Sequence, residues 1–143
     1  MITEIVGPWT ITTDPQRTKK FYDNHHYLSQ DCNCEYCVNY LLACEQFPPT
    51  IYRLFESLGI DPRKEGEVSE FGKSAEGLYH YIVFYHFVGE IVKEPSSALA
   101  SPDFHVEGFS VSFTNDLDLL PDDFPMPAVQ IMLEMQLPWL LGL

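Results

Sequence analysis

Leu78-Tyr79-His80-Tyr81-Ile82-Val83-Phe84-Tyr85-His86-Phe87-Val88-Gly89-Glu90-Ile91-Val92 repeats its apolar side chains with a period of 2, the spacing of a β-strand. Tyr79, Tyr81, Val83, Tyr85 and Phe87 fall on one face, with Ile82, Phe84 and Val88 on the other. Apolar residues on both sides predict a strand largely covered on both faces. Glu67 to Phe71 reads as a partner strand, joined to it through Gly72 to Gly77. Downstream, Lys93 to Asp103 holds two prolines, three serines and two alanines and reads as a surface loop. Phe109, Val111 and Phe113 then alternate with Ser110, Ser112 and Thr114. After an acidic connection from Asn115 to Pro127, Val129, Ile131, Leu133, Met135 and Leu137 alternate with Gln130, Met132, Glu134 and Gln136, and Pro138-Trp139 closes the strand.

Before Gly66 the period is 3.6. Ile51, Leu54, Phe55 and Leu58 stand at i, i+3, i+4 and i+7 behind a proline, and Gly59 and Pro62 supply the stop. From Glu35 to Phe47, Cys37, Leu41 and Cys44 form one stripe and Tyr36, Tyr40, Ala43 and Phe47 the adjoining one; Pro48-Pro49 ends that helix. Asp31 or Asn33 is placed to cap it. Gln16 to His26 is polar, with Phe21, Tyr22 and Tyr27 as its anchors and Asp14-Pro15 as a helix or turn start. Residues 2 to 12 read as an edge strand bent at Gly7-Pro8. The fold class predicted is α+β: an N-terminal strand and two or three helices packed on a four- or five-stranded antiparallel sheet, in a single domain spanning residues 1–143.

A chain of 143 residues, 45% apolar and 20% charged, can bury a core without a metal or disulfide. It contains no run of about 18 apolar residues and no basic segment leading into an apolar one at Met1-Ile2-Thr3-Glu4. A cytoplasmic setting away from the membrane is expected, where thiols stay free or metal-bound. The formal charge is -13, and the last 50 residues carry eight carboxylates and no Lys or Arg. Such a surface repels phosphate backbones, which argues against nucleic acid, and steers a basic protein partner toward it. A solvated acidic surface that only maintains solubility is the plainer reading.

Cys32, Cys34 and Cys37 form C-x-C-x-x-C, and three thiolates this close can share one Zn²⁺. His25, His26 or His86 is available as fourth ligand, and His86 is the candidate retained. Cys44 is excluded, since on a continuous helix it lies about 10 Å along the axis from Cys37. The plainer reading makes these cysteines small apolar fillers. Cys34-Glu35-Tyr36-Cys37 is also C-x-x-C at a helix N-terminus, where the dipole favours thiolate and redox exchange, although Asp31 and Glu35 oppose it. His80 and His86 share a face but are about 20 Å apart along a strand, so they serve as ordinary sheet histidines with their nitrogens satisfied by neighbours or water. Gly108-Phe109-Ser110 lacks the final glycine of a nucleophile elbow, and Asp116, Asp118, Asp122 and Asp123 lack the glycine and glutamate of a calcium loop.

Seven segments together resemble an uncharacterised family of small acidic bacterial proteins. They are Gly7-Pro8-Trp9, Cys32-x-Cys34-x-x-Cys37-x-Asn39-Tyr40, Phe47-Pro48-Pro49, Leu58-Gly59-Ile60-Asp61-Pro62, Tyr85-His86-Phe87-Val88-Gly89, Phe113-Thr114-Asn115 and Leu137-Pro138-Trp139. Ile82-Val83-Phe84 stands where that pattern has Gly-Gly-Trp. The resemblance implies a bacterial source and one shared domain, and no activity. The function expected is that of a non-enzymatic cytoplasmic domain that binds a protein through its acidic C-terminal half, with an immunity-like role inside that class; the alternative is a zinc or thiol-redox protein built on Cys32, Cys34 and Cys37.

Overall fold

The structure is a computed structural model that describes residues 1–28, 34–64, 66–96 and 103–142. In chain order its elements are β1 (Ile2–Val6), β2 (Trp9–Thr13), α1 (Pro15–Asp23), α2 (Glu35–Cys44), α3 (Pro49–Leu58), β3 (Glu67–Lys73), β4 (Tyr79–Lys93), β5 (Phe104–Val106), β6 (Phe109–Thr114) and β7 (Ala128–Leu137). The fold is α+β, as the periodicities predict, with an antiparallel sheet of seven strands rather than four or five. Two local features account for the difference. Gly7, at φ 56°, lets the chain reverse in two residues, so the bent edge strand is a hairpin pairing Val6 with Trp9. Phe104–Val106 adds the three-residue β5, which pairs with β6.

β4 organises the sheet because its 15 residues are long enough to hold three neighbours. One edge pairs with β7 from Tyr79 to Val88. The other edge pairs with β3 up to Phe84 and with β2 from Gly89 onward. Between them α1 takes the place of a strand. The Tyr22 hydroxyl donates to the His86 carbonyl at 2.9 Å and accepts the His86 N–H at 3.1 Å. Thr18 Oγ1 accepts the Val88 N–H at 2.8 Å, and the Asp14 N–H donates to the Val88 carbonyl at 2.8 Å. Buried backbone groups need such partners, so a largely polar segment is held as a helix by two hydroxyls rather than by an apolar stripe. The Asp14 carboxylate accepts from the Arg17 N–H at 3.3 Å and Pro15 opens the first turn.

α2 and α3 pack on one face of the sheet. Tyr40, Ile51, Phe55 and Leu58 meet Tyr81, Val83, Tyr85, Phe87, Ile131 and Leu133, all fully or almost fully buried. Each such side chain contributes about 2 kcal/mol by leaving water. Gly59 ends α3 in the left-handed region at φ 80°, as predicted, and a side chain there would also collide with the carbonyl of Pro15. The cap thus fixes the approach of α3 to α1.

The expectation that both faces of Leu78–Val92 are largely covered is corrected. His86 and Val88 are buried on the second face, but His80, Ile82 and Phe84 are only half-buried. No described helix crosses that part of the face. The capping residues proposed for α2, Asp31 and Asn33, lie outside the described residues; Cys34 occupies the cap position, and its side chain does not cap the helix.

Candidate functional site

The uncovered part of the second face is built by cross-strand register. Phe84 stands opposite Met132, Met132 opposite Ser112, Ile82 opposite Glu134, and Glu134 opposite Ser110. Phe71, 61% exposed, extends this surface by packing on the His80 ring at 5.4 Å. His80 Nε2 meets the Glu134 carboxylate across the strand pair. The result is an apolar band of Phe71, Ile82, Phe84 and Met132 bordered by Glu67 and Glu134. Neither β6 nor β7 contains a Lys or Arg, and β4 has one only at its last residue, Lys93.

At one end of this face the connection between β6 and β7 folds over the sheet. Phe124 packs against the His86 ring at 6.0 Å and against Phe21 of α1 at 4.6 Å. Beside it lies a cavity of about 270 Å³ lined by Gly66, Glu67, Phe84, His86, Asp122 and the Leu119-Leu120-Pro121 segment. His86 is 2% exposed, and its ring nitrogens make no close hydrogen bond, although the Gln130 side chain acts on the ring from β7. Gln130, opposite it on β7, is also buried and its Oε1 is likewise unpaired. Burial lowers the imidazole to about 4, with the Gln130 amide pulling weakly the other way, so His86 is neutral at pH 7 and offers one donor and one acceptor.

The cysteine cluster is described only in part. Cys32 lies outside the described residues. Cys34 is exposed at the start of α2 and Cys37 is buried in its first turn, which is the C-x-x-C placement expected at a helix N-terminus. They sit on the helix-covered side, where the Tyr81 hydroxyl donates to the Tyr36 carbonyl at 3.0 Å. His86 is five residues further along β4 with its ring on the opposite face, so the structure does not bring it to Cys34 and Cys37. Among the described residues no three His, Cys, Asp or Glu side chains gather to hold a metal ion. Cys44 is fully buried, its thiol pointing at the Pro62 carbonyl, and burial pushes it up to about 12, so it stays a thiol. Beside it the Tyr40 and Tyr85 hydroxyls share a 2.6 Å hydrogen bond, and burial raises both well above the usual phenol range. This core network keeps its protons and serves packing.

His25 pairs with Asp123 at 3.0 Å and His105 with Ser110 at 2.9 Å. Phe71, Glu67, Met132 and Gln130 are the site residues that the sequence does not single out. Alternation assigns Met132 and Gln130 to one face of the last strand, but only the topology reveals that this face lacks a helix. No helix among the described residues is long and apolar enough to cross a membrane. In comparison with known proteins the chain matches no family model, no curated protein and no solved structure. The likeness to small acidic bacterial proteins therefore rests on the quoted motifs alone.

Proposed function

We propose that this chain is a non-enzymatic, cytoplasmic protein-binding domain that docks a basic partner on the open face of its sheet. The observation that carries the reading is the band of Phe71, Ile82, Phe84 and Met132, framed by carboxylates on strands almost free of Lys and Arg. Apolar residues at the centre of a patch supply the contact area, and the surrounding charge selects and steers the partner. The Asp116, Asp118, Asp122 and Asp123 loop beside this face extends the same sign. An immunity-like role, in which an acidic surface blocks a basic toxin, falls inside this class.

The test is capture on the immobilised full chain, at low and high salt, with Met132→Glu beside a control, Tyr52→Ser, on helix α3. The expected result is a basic protein retained by the wild type and by the control, released by salt, and lost with Met132→Glu. Salt-insensitive capture, or capture unchanged by Met132→Glu, overturns the reading.

A further inference from the structure

The connection between β6 and β7 is held against α1 by three ties. Arg17 donates a side-chain N–H to the Met126 carbonyl at 3.2 Å. Phe124 packs on Phe21 of α1 and on His86 of β4. The third tie is His25, just past the end of α1, whose ring stacks on Phe21 with centroids 3.9 Å apart. Its Nδ1 lies 2.5 Å from the Phe21 carbonyl oxygen and its Nε2 lies 3.0 Å from the Asp123 carboxylate. Both of these oxygens only accept hydrogen bonds, whereas a neutral imidazole has one N–H and one lone pair. With a single proton the ring would therefore turn a lone pair on an oxygen lone pair, at Phe21 or at Asp123. The two contacts coexist only when both nitrogens carry protons and the ring is an imidazolium.

We propose that His25 is a proton-dependent latch on this connection: the doubly protonated ring ties Asp123 to α1, and release of one proton to solvent frees residues 119–124 to open from the sheet. The Asp123 contact is the one that yields, because Asp123 is exposed while the Phe21 carbonyl belongs to the residue on which the ring stacks. Charged groups of both signs surround the ring. Arg17 and Lys20 of α1 share a hollow with His25 and Asp123 and oppose the imidazolium; Asp123 and its neighbour Asp122 favour it. Lys19 and Asp23 pair with each other on α1, His26 follows in the chain, and His86 of β4 lies behind Phe124. Imidazole is the side chain whose charge changes between about pH 5 and 8, so the latch loosens as pH rises through that range. Burial of His86 acts in the opposite sense, destabilising the fold as pH falls. The latch stands whatever docks on the open face; an opened connection uncovers His86 and lengthens that face.

The test reads amide exchange with water at Leu120 and Phe124, whose N–H groups donate to the Leu117 and Pro121 carbonyls inside the connection. Rates are taken on the full chain at steps from about pH 5.5 to about pH 8, each divided by the intrinsic rate at that pH. Gly77, whose N–H donates to the Ser74 carbonyl in the turn between β3 and β4, is the remote control. In the wild type, protection at Leu120 and Phe124 is expected to fall about two- to fivefold as pH rises, the worth of one exposed charge-assisted pair, with Gly77 unchanged. His25→Gln keeps an N–H donor but takes up no charge, and Asp123→Asn removes the opposite charge; each is expected to abolish the pH dependence. His26 is present in all three proteins, so the difference between them belongs to the latch. The ring ¹⁵N signals of His25, assigned by their loss in His25→Gln, are expected to change over the same pH interval as the protection. Protection that is constant with pH, that rises with it, or that falls equally in either variant overturns the proposal. So does a His25 ring that titrates outside the interval in which protection falls.

Discussion

His86 couples folding to pH, and replacing it with Gln isolates the effect. In the folded protein burial holds the ring near 4, whereas an unfolded histidine titrates near 6.5. Between those values the unfolded chain binds a proton that the folded chain does not, so stability is full above about pH 6.5 and is lost as pH falls toward 4. A depression of that size corresponds to a ceiling on the order of 3 kcal/mol, of which about 2 kcal/mol is gone by pH 4.5. Glu67 and Asp122 line the same cavity, Gln130 faces the ring from β7, and Phe84 and Phe124 complete its surroundings. The two carboxylates favour the protonated ring and make the ceiling an upper limit. Other titrating groups act on wild type and variant alike, so the quantity to measure is the difference between their curves. Urea unfolding followed by the fluorescence of Trp9 and Trp139, at steps from pH 7.5 to 4.5, gives that difference. Wild type is expected to lose about 2 kcal/mol more than His86→Gln over this range. Parallel curves would refute the burial argument.

Tyr22→Phe removes the hydroxyl that serves both the N–H and the carbonyl of His86, and leaves two buried backbone groups unpaired. A loss of about 3 kcal/mol in urea unfolding is expected, with faster hydrogen exchange at the His86 amide; slow exchange there would show that another group fills the gap. Asn39→Leu cuts the tie of α2 to the chain after β7, where Asn39 accepts from the Leu140 N–H at 2.5 Å and donates to the Pro138 carbonyl at 3.1 Å. It should cost about 2 kcal/mol and expose the segment around Trp139 to proteolysis, and equal protease resistance would count against the tie. Since among the described residues no three ligating side chains gather to hold a metal, EDTA is expected to leave Tm unchanged; a fall of several degrees, reversed by Zn²⁺, would give the cysteines at the start of α2 a structural metal.

How much the sequence reveals depends on whether the determining interaction is local. The α3 helix is legible because stripe, proline and glycine all lie within 12 residues of one another. The strands from Tyr79 and Ala128 are legible because alternation persists over their whole length. Helix α1 is only faintly so: Phe21 and Tyr22 are its large buried residues, and what fixes it is contact with β4 more than 60 residues away. The hairpin at Gly7-Pro8 reads as a bend, because a two-residue reversal and a kink draw on the same residue types.

The candidate site divides along the same line. Composition supplies the charge asymmetry but cannot say whether the acidic segments meet. They meet because β7 returns beside β4 and β6 pairs with its outer edge, which sets Glu134 beside Ile82 and carries the acidic connection over His86. His86 and Ile82 look alike in the strand pattern, each an even-numbered position on the same face of β4. Their environments differ because Phe124 covers one and nothing among the described residues covers the other. Burial on this face thus arises where a long connection crosses an open sheet, so sequence periodicity can indicate the face while only topology selects the residue.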